Sequence, residues 1–174
     1  MNWDIYCQEY KEIGIEIGFG RSCTLLKMAP LFPETLFIGI EIKRNYYERI
    51  QKLPKPTNLL LINSDAREFV CSIPAGTISN YFIYFPSPLP LSQRIFSVEF
   101  HWEIFRSVKR SGIVKIATDD YEYFEVILSL FSDAKWVYTT WQELPYVTTG
   151  SKYRVETDCE KIYGLKYFIE CYKR

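Results

Sequence analysis

Residues 13–20 read Ile13-Gly14-Ile15-Glu16-Ile17-Gly18-Phe19-Gly20. Ile13, Ile15 and Ile17 are β-branched and apolar, as a strand inside a covered sheet prefers. Gly18 and Gly20 allow a sharp turn and a close approach of the backbone to a ligand. Arg21 to Ala29 has helical character, so the stretch predicts a strand, a Gly-x-Gly turn and an open helix N-terminus facing that turn. Such a corner binds ligands in α/β folds. The alternative is an ordinary β–α turn with no ligand.

Working outward, the pattern repeats. Met1 to Glu12 reads as a helix on the sheet edge, and Pro30 and Pro33 end the helix after the glycines. Leu36–Ile42 is a second buried strand with Glu41 near its end. Asn45–Lys52 forms a short helix stopped by Pro54 and Pro56. Leu59–Ile62 is a third strand, from which Asp65 caps a helix over Ala66–Cys71. Ile78–Phe85 is a fourth strand, followed by Pro86-Ser87-Pro88-Leu89-Pro90-Leu91-Ser92. A helix over Ser97–Lys109 has Val98, Trp102, Phe105 and Val108 at helical spacing. Ser111-Gly112 ends it, and Ile113–Ala117 is a fifth strand leaving through Thr118-Asp119-Asp120. Tyr121–Phe131 is helical, Trp136–Thr140 a sixth strand and Tyr163–Cys171 a last one. Strands alternating with helices predict one domain over 1–174, with a mostly parallel sheet covered on both faces.

Composition narrows the partners. The 174 residues carry 21 basic and 21 acidic side chains, a formal charge of zero, so the chain is not a strong non-specific nucleic-acid binder. An RNA partner would require basic residues gathered on one face. Cys7, Cys23, Cys71, Cys159 and Cys171 are scattered without C-x-x-C spacing, which reads as reduced thiols in a cytoplasmic protein with no structural zinc. His101 is the single histidine, on a predicted helix face, and reads as a surface or satisfied side chain rather than a catalytic one. The N-terminal residues carry Asp4, Glu9 and Glu12 and no signal-length apolar run. No stretch reaches the roughly 18 apolar residues of a membrane span. A soluble protein that is not exported is expected.

Ligands of such sheets bind outside the carboxyl ends of the strands. Those ends carry Gly18 and Gly20, then Glu41, Asp65, the loop around Ser87, and finally Thr118 and Asp119. Glu41 follows the glycines by about 20 residues, the distance at which a carboxylate takes both ribose hydroxyls. Asp65 can accept from an adenine amino group. Each carboxylate alone reads equally as a cap or a solvated acid; their recurrence at successive strand ends predicts a nucleoside site. Cys23 stands where a dinucleotide fingerprint wants its third glycine, and the chain has no room for a substrate domain. Glu16 ahead of the glycines and a closing C-terminal strand fit S-adenosylmethionine better than NAD. No GxxxxGK[ST] loop is present, which argues against nucleotide hydrolysis.

The segments Glu16-Ile17-Gly18-Phe19-Gly20, Phe37-Ile38-Gly39-Ile40-Glu41, Asp65-Ala66, Phe85-Pro86-x-Pro88 and Ala117-Thr118-Asp119, in that order, resemble the bacterial tRNA guanine-N(7) methyltransferases from about Ile13 onward. The resemblance implies a Rossmann-like class I methyltransferase with a seven-stranded, mostly parallel sheet, an antiparallel last strand and helices on both faces. It implies S-adenosylmethionine as methyl donor and a tRNA guanine, in the variable loop, as acceptor. Glu16, Glu41 and Asp65, with Gly18 and Gly20, match the cofactor-binding positions, and Asp119 a substrate-contacting one. Ser87 stands where the family has an aspartate assigned to cofactor binding and catalysis. Ser151, Tyr153 and Arg154 fall on its C-terminal T-x-[YF]-E, with Arg154 in place of the Glu. Ser22 replaces the third glycine, Leu91 falls near its substrate lysine, and of its basic run only Arg94 remains. Its longer, basic N-terminal arm has no counterpart before Ile13. A cytoplasmic monomer or homodimer acting on tRNA, not on DNA or at a membrane, is the expectation. A member of this fold that binds S-adenosylmethionine or RNA without turnover, or with another substrate, is the alternative.

These departures have physical content. Guanine N(7) has a free lone pair and carries no proton, so no general base is required. Positioning and stabilisation of the charge developing on the purine matter instead. Losing a preorganised carboxylate at Ser87 weakens the second effect. Losing the Lys/Arg run weakens phosphate contacts, leaving Lys43, Arg44, Arg94, Lys152, Arg154, Lys166, Lys173 and Arg174 as candidates. Tyr84, Phe85 and Trp141 could stack a base or simply belong to the core.

Overall fold

A computed structural model describes residues 1–87, 95–132, 135–142 and 167–174. The elements run α1 (Trp3–Glu9), β1 (Glu12–Ile17), α2 (Leu25–Met28), a 3-10 turn (Ala29–Leu31), β2 (Thr35–Glu41), α3 (Arg44–Gln51), β3 (Leu59–Asn63) and α4 (Ala66–Cys71). They continue with β4 (Ile78–Tyr84), α5 (Val98–Ser107), β5 (Val108–Thr118), α6 (Tyr121–Phe131), β6 (Trp136–Gln142) and β7 (Tyr167–Lys173).

The strands form one sheet in the order β3-β2-β1-β4-β5-β7-β6. β3, β2, β1, β4 and β5 are mutually parallel. The last strand, β7, inserts antiparallel between β5 and β6. This is the expected seven-stranded sheet. β1 pairs with β2 on one side and β4 on the other, so the chain order reverses there and opens a crevice at the strand ends.

Period-two alternation sends each strand's side chains to two different cores. Ile13, Ile15 and Ile17 join Tyr81, Val114 and Ile116 under Val70 of α4, Ile104 of α5 and Ile127 of α6. The opposite face places Phe37 and Phe82 under Leu25 and Met28 of α2 and Ile50 of α3. Gly14 belongs to that second face. A Cβ there would meet the Phe37 and Phe82 rings at 3.1 Å, so the glycine lets two aromatics close over the central strand. α1 packs through Trp3 on Phe69 of α4, with ring centroids 6.0 Å apart, instead of on a sheet edge.

Two predicted boundaries are corrected. The helix expected over Arg21–Ala29 is only Leu25–Met28, because the Ser22–Thr24 turn is drawn in toward Glu16; Pro30 lies within the 3-10 turn that follows. The helix expected to reach Lys109 stops at Ser107, and β5 begins at once with Val108. Ser111 then adopts a left-handed φ of 61°, and the β4–β5 register shifts between Ile78 and Asn80. The segment 109–112 is therefore a bulge in the strand and not a helix terminus. Among the described residues no helix is long and apolar enough to cross a membrane.

Candidate functional site

The carboxyl ends of β1, β2, β3, β4 and β5 surround a cavity of about 1090 Å³. The glycine turn forms its floor. Gly18 and Gly20 have φ of 73° and 62°, the left-handed region that glycine tolerates without strain. Nothing lies within 4 Å of a Cβ built on Gly18, so the backbone there faces open space where a ligand can approach. The Gly18 amide donates to Ile40 O at 2.8 Å, which ties the turn to β2. Phe19, between the two glycines, points away into the second core and is 4% exposed. A Cβ on Gly39 would meet the Phe19 ring and Leu61 at 2.9 Å, so Gly39 provides the seat for Phe19.

Glu41 ends β2 and is buried, with both carboxylate oxygens engaged. Oε2 accepts from the Gly20 amide at 2.8 Å and Oε1 from the Lys43 amide at 2.8 Å. Each oxygen keeps a second lone pair, and the side chain lines the cavity, so two hydroxyls can be received there. Glu16 lies on the neighbouring strand. Its Oε2 accepts from the Leu25 amide at 3.3 Å and from the Cys23 thiol at 3.5 Å, and Thr24 also bonds it. Burial is nevertheless the dominant influence and pushes the Glu16 carboxyl up to about 7. Burial, with the neighbouring Glu16 charge, likewise pushes the Cys23 thiol up, so Cys23 stays protonated as a donor.

Asp65 is the N-cap of α4, its Oδ1 accepting from the Arg67 amide at 2.8 Å, and it lines the cavity beside Ala66. Tyr84, Phe85, Pro86 and Ser87 form the wall beyond β4, with Ser87 exposed. Phe85 has φ of 48°, strained for a residue with a side chain, and its amide donates to Ala117 O at 2.8 Å. Asp119 and Asp120 close the β5 side; Asp119 is exposed, and Asp120 caps α6 through the Tyr123 amide.

The cavity thus brings together Glu16, Gly18, Gly20, Glu41, Asp65, Ser87 and Asp119, residues separated by up to 103 positions. Ser151, Tyr153 and Arg154 lie outside the described residues, as do Leu91 and Arg94. His101 lies elsewhere: it is buried between α5 and β6, where its Nε2 accepts from Trp136 Nε1 at 3.0 Å. Sequence reasoning missed three features of the cavity. These are the Phe19–Gly39 seat, the capture of Glu16 by Cys23, Thr24 and Leu25, and the basic side chains Arg21, Arg49 and Arg67 on the rim. A large apolar residue between two turn glycines was the available signal for the first.

Comparison with known proteins agrees with this fold. A family model described as "Putative methyltransferase" matches residues 10–163. A tRNA (guanine-N(7)-)-methyltransferase of Campylobacter fetus is 31% identical over 150 residues, 83% of this chain and 38% of that protein. A protein of the same description from Helicobacter hepaticus is 32% identical over 174 residues, 95% of this chain and 43% of its own length. The chain therefore spans about two fifths of the length of these curated relatives. Among solved structures, the plantazolicin methyltransferase in complex with SAH superposes with a TM-score of 0.65 at 11% identity, covering 98% of this chain and 80% of that one. The tRNA (m1A58) methyltransferase of Aquifex aeolicus gives 0.63 at 14%, covering 98% and 66%. At these identities the likeness establishes the fold.

Proposed function

The chain belongs to the family described as "Putative methyltransferase", and from that premise we propose that it methylates N(7) of a guanine in tRNA, with S-adenosylmethionine as donor. The observation that carries this reading is the cavity at the strand ends, in which Glu16, the open Gly18 turn, Glu41 and Asp65 lie side by side. Relatives described as tRNA guanine-N(7) methyltransferases supply the acceptor.

Bound there, S-adenosylmethionine supplies an electrophilic methyl group on a cationic sulfonium. Glu41 receives the ribose hydroxyls while its bonds to the Gly20 and Lys43 amides hold it in place. Asp65 presents its carboxylate at the adenine end. The Gly18–Gly20 turn and Glu16 border the methionine end. With the cofactor held there, its methyl group would be the electrophile for the guanine N(7) lone pair, the C–S electron pair would remain on sulfur, and the positive charge would pass to the purine. No proton moves, so the protein's part is to align the two atoms and to stabilise that charge. Asp119 is the exposed carboxylate of the β5 wall suited to the second task. Ser87 occupies the β4 wall without a charge. Such an enzyme acts where tRNA is found, in the cytoplasm.

The test is direct. The purified protein, tRNA and methyl-labelled cofactor should yield RNA that is cleaved at a guanine after borohydride and aniline treatment. Cofactor binding without methylation of any RNA would leave a binding protein in place of an enzyme.

A further inference from the structure

The charge around the cavity is uneven. Asp119 and Asp120 occupy the β5 side with no basic residue among the described lining there, whereas the side built by the glycine turn, α3 and α4 carries Arg21, Lys43, Arg49 and Arg67 beside the acids Glu16, Glu41 and Asp65. Lys43 is the N-cap of α3, and Lys43, Tyr46 and Arg49 follow one another at i, i+3 spacing, one stripe of the helix along the cavity mouth. The Lys43 ammonium is 5.4 Å and the Arg21 guanidinium 5.8 Å from the centre of the Tyr46 ring. Arg21 Nε also donates to the Tyr46 hydroxyl at 3.4 Å. The hydrogen bond and charge of Arg21, followed by the charge of Lys43, lower the pKa of that hydroxyl.

Neither Lys43 nor Arg49 has a carboxylate within ion-pair distance among the described residues. Their neighbour Arg44 is different: it is paired with Glu48 at 2.7 Å and does not line the cavity. Glu41, at the end of β2 two residues before Lys43, has both oxygens on backbone amides. Two cations are thus gathered on one half-buried ring and a third follows one turn later, in a chain with no net charge to attract a polyanion. The adenosine of S-adenosylmethionine is neutral, its sulfonium cationic, and its single carboxylate belongs to the methionine end beside the glycine turn, so the cofactor does not account for Lys43 and Arg49 on α3.

We propose that the stripe Lys43–Tyr46–Arg49, with Arg21 beside it, is the docking surface for the phosphate backbone of the acceptor RNA. The proposal rests on the RNA-methylation reading above. Phosphate contacts fix register and supply most of the affinity, while Tyr46 offers a ring to a ribose or an unstacked base. The RNA then crosses the outer edge of the cofactor's ribose end and reaches the Ser87–Asp119 side from across the cavity.

The experiment compares the unmodified chain with the double variant Lys43→Gln, Arg49→Gln. It measures the Kd for a tRNA transcript at several salt concentrations, S-adenosylhomocysteine binding by calorimetry, and KM and kcat of methyl transfer. The expected result is a Kd for tRNA raised roughly tenfold or more and a log Kd against log salt slope smaller by about 1.5, since two phosphate contacts are lost. KM for tRNA should rise in step while cofactor affinity is unchanged. Tyr46→Ala should weaken tRNA binding without altering the salt slope. An unmodified chain that methylates tRNA, with a double variant of unchanged slope and KM, overturns the docking surface alone. A chain that binds S-adenosylhomocysteine but neither binds nor methylates tRNA overturns the underlying reading and the docking surface with it.

Discussion

The Gly20 amide donates to Glu41 Oε2 at 2.8 Å, so the acid that ends the second strand also fastens the glycine turn that follows the first. The turn and the acid are one mechanical unit. Hydrogen bonds to a carboxylate are roughly twice as strong as neutral ones. Glu41→Gln keeps the shape and one acceptor and should weaken S-adenosylhomocysteine binding about tenfold. Glu41→Ala leaves the Gly20 and Lys43 amides without their partner and should weaken it a hundredfold or more, about 2.7 kcal/mol. Isothermal calorimetry of both variants checks the order and the gap; equal losses would mean that Glu41 acts on the ligand alone.

Glu16 makes stability depend on pH. Its carboxyl is raised to about 7 in the folded protein from an ordinary value of 4.5. Below pH 4.5 the group is protonated folded or unfolded and contributes nothing to the pH dependence. Between about pH 4.5 and 7 the unfolded chain releases the proton while the folded one keeps it, so stability falls as pH rises, by about 3 kcal/mol, and then levels off. Glu16→Gln removes that slope and still offers an oxygen to the Leu25 amide. The difference in unfolding free energy between variant and parent, from urea titrations at pH 4.5 and 8, should shift toward the variant by about 2 to 3 kcal/mol.

How much of this could be read from residues alone follows from range. Ile13, Ile15 and Ile17, or Leu59 to Ile62, announce strands because each carries its own burial requirement in a few consecutive side chains. Glu41, Asp65 and Asp119 share the cavity because the strand ends place them there, which needs no knowledge of side-chain direction. The capture of Glu16 by Cys23, Thr24 and Leu25 depends on where the turn folds back. The bulge at 109–112 depends on a register set by β4, a partner about 30 positions earlier. A Ser-Gly pair after a helical pattern reads as a helix stop, yet here Gly112 is needed because a Cβ would meet Lys109 O at 2.9 Å and Ser79 O at 3.0 Å. Lys115 was read as one residue of a strand pattern, and its counterpart lies 55 positions later in β7.

Gly39 is a packing position, and its substitution should act on the cavity at a distance. A methyl group there would overlap the Phe19 ring and Leu61 at 2.9 Å. Gly39→Ala is expected to cost about 1 to 3 kcal/mol of stability as the overpacked site shifts. Because Phe19 is flanked by Gly18 and Gly20, the shift moves the turn as well, and S-adenosylhomocysteine affinity should fall about tenfold. Phe19→Ala removes the overlap on the side of the glycine turn and leaves the one with Leu61, so the double variant should bind the ligand better than Gly39→Ala alone. A double-mutant cycle on ligand affinity measures that coupling.

Ser87 lies on the cavity wall after β4, where the related methyltransferases are expected to carry an aspartate. It is exposed and follows the strained Phe85, so an aspartate can be introduced without disturbing the core. A carboxylate there would face the charge that builds on the purine. Ser87→Asp should raise kcat of methyl transfer to tRNA about tenfold to a hundredfold, with KM for tRNA changed little. Single-turnover kinetics with saturating RNA isolates the chemical step; an unchanged rate would place charge stabilisation on Asp119.

Away from the cavity, Lys115 of β5 and Glu170 of β7 are cross-strand partners, 0% and 2% exposed. Lys115 Nζ is 3.6 Å from Glu170 Oε2, an oxygen with no hydrogen bond, while Glu170 Oε1 accepts from the Tyr172 hydroxyl. Taking both charges out of water is costly, and at 3.6 Å the attraction repays only part of that cost. The pair therefore joins the antiparallel closing strand to the parallel sheet without being a large net source of stability. Lys115→Met leaves Glu170 buried without its cation and should destabilise the fold by about 3 to 5 kcal/mol. Lys115→Met with Glu170→Leu removes both charges and should recover most of that loss. Urea unfolding of the two single variants and the double variant closes the cycle, and additive losses would show that the two side chains do not act as a pair.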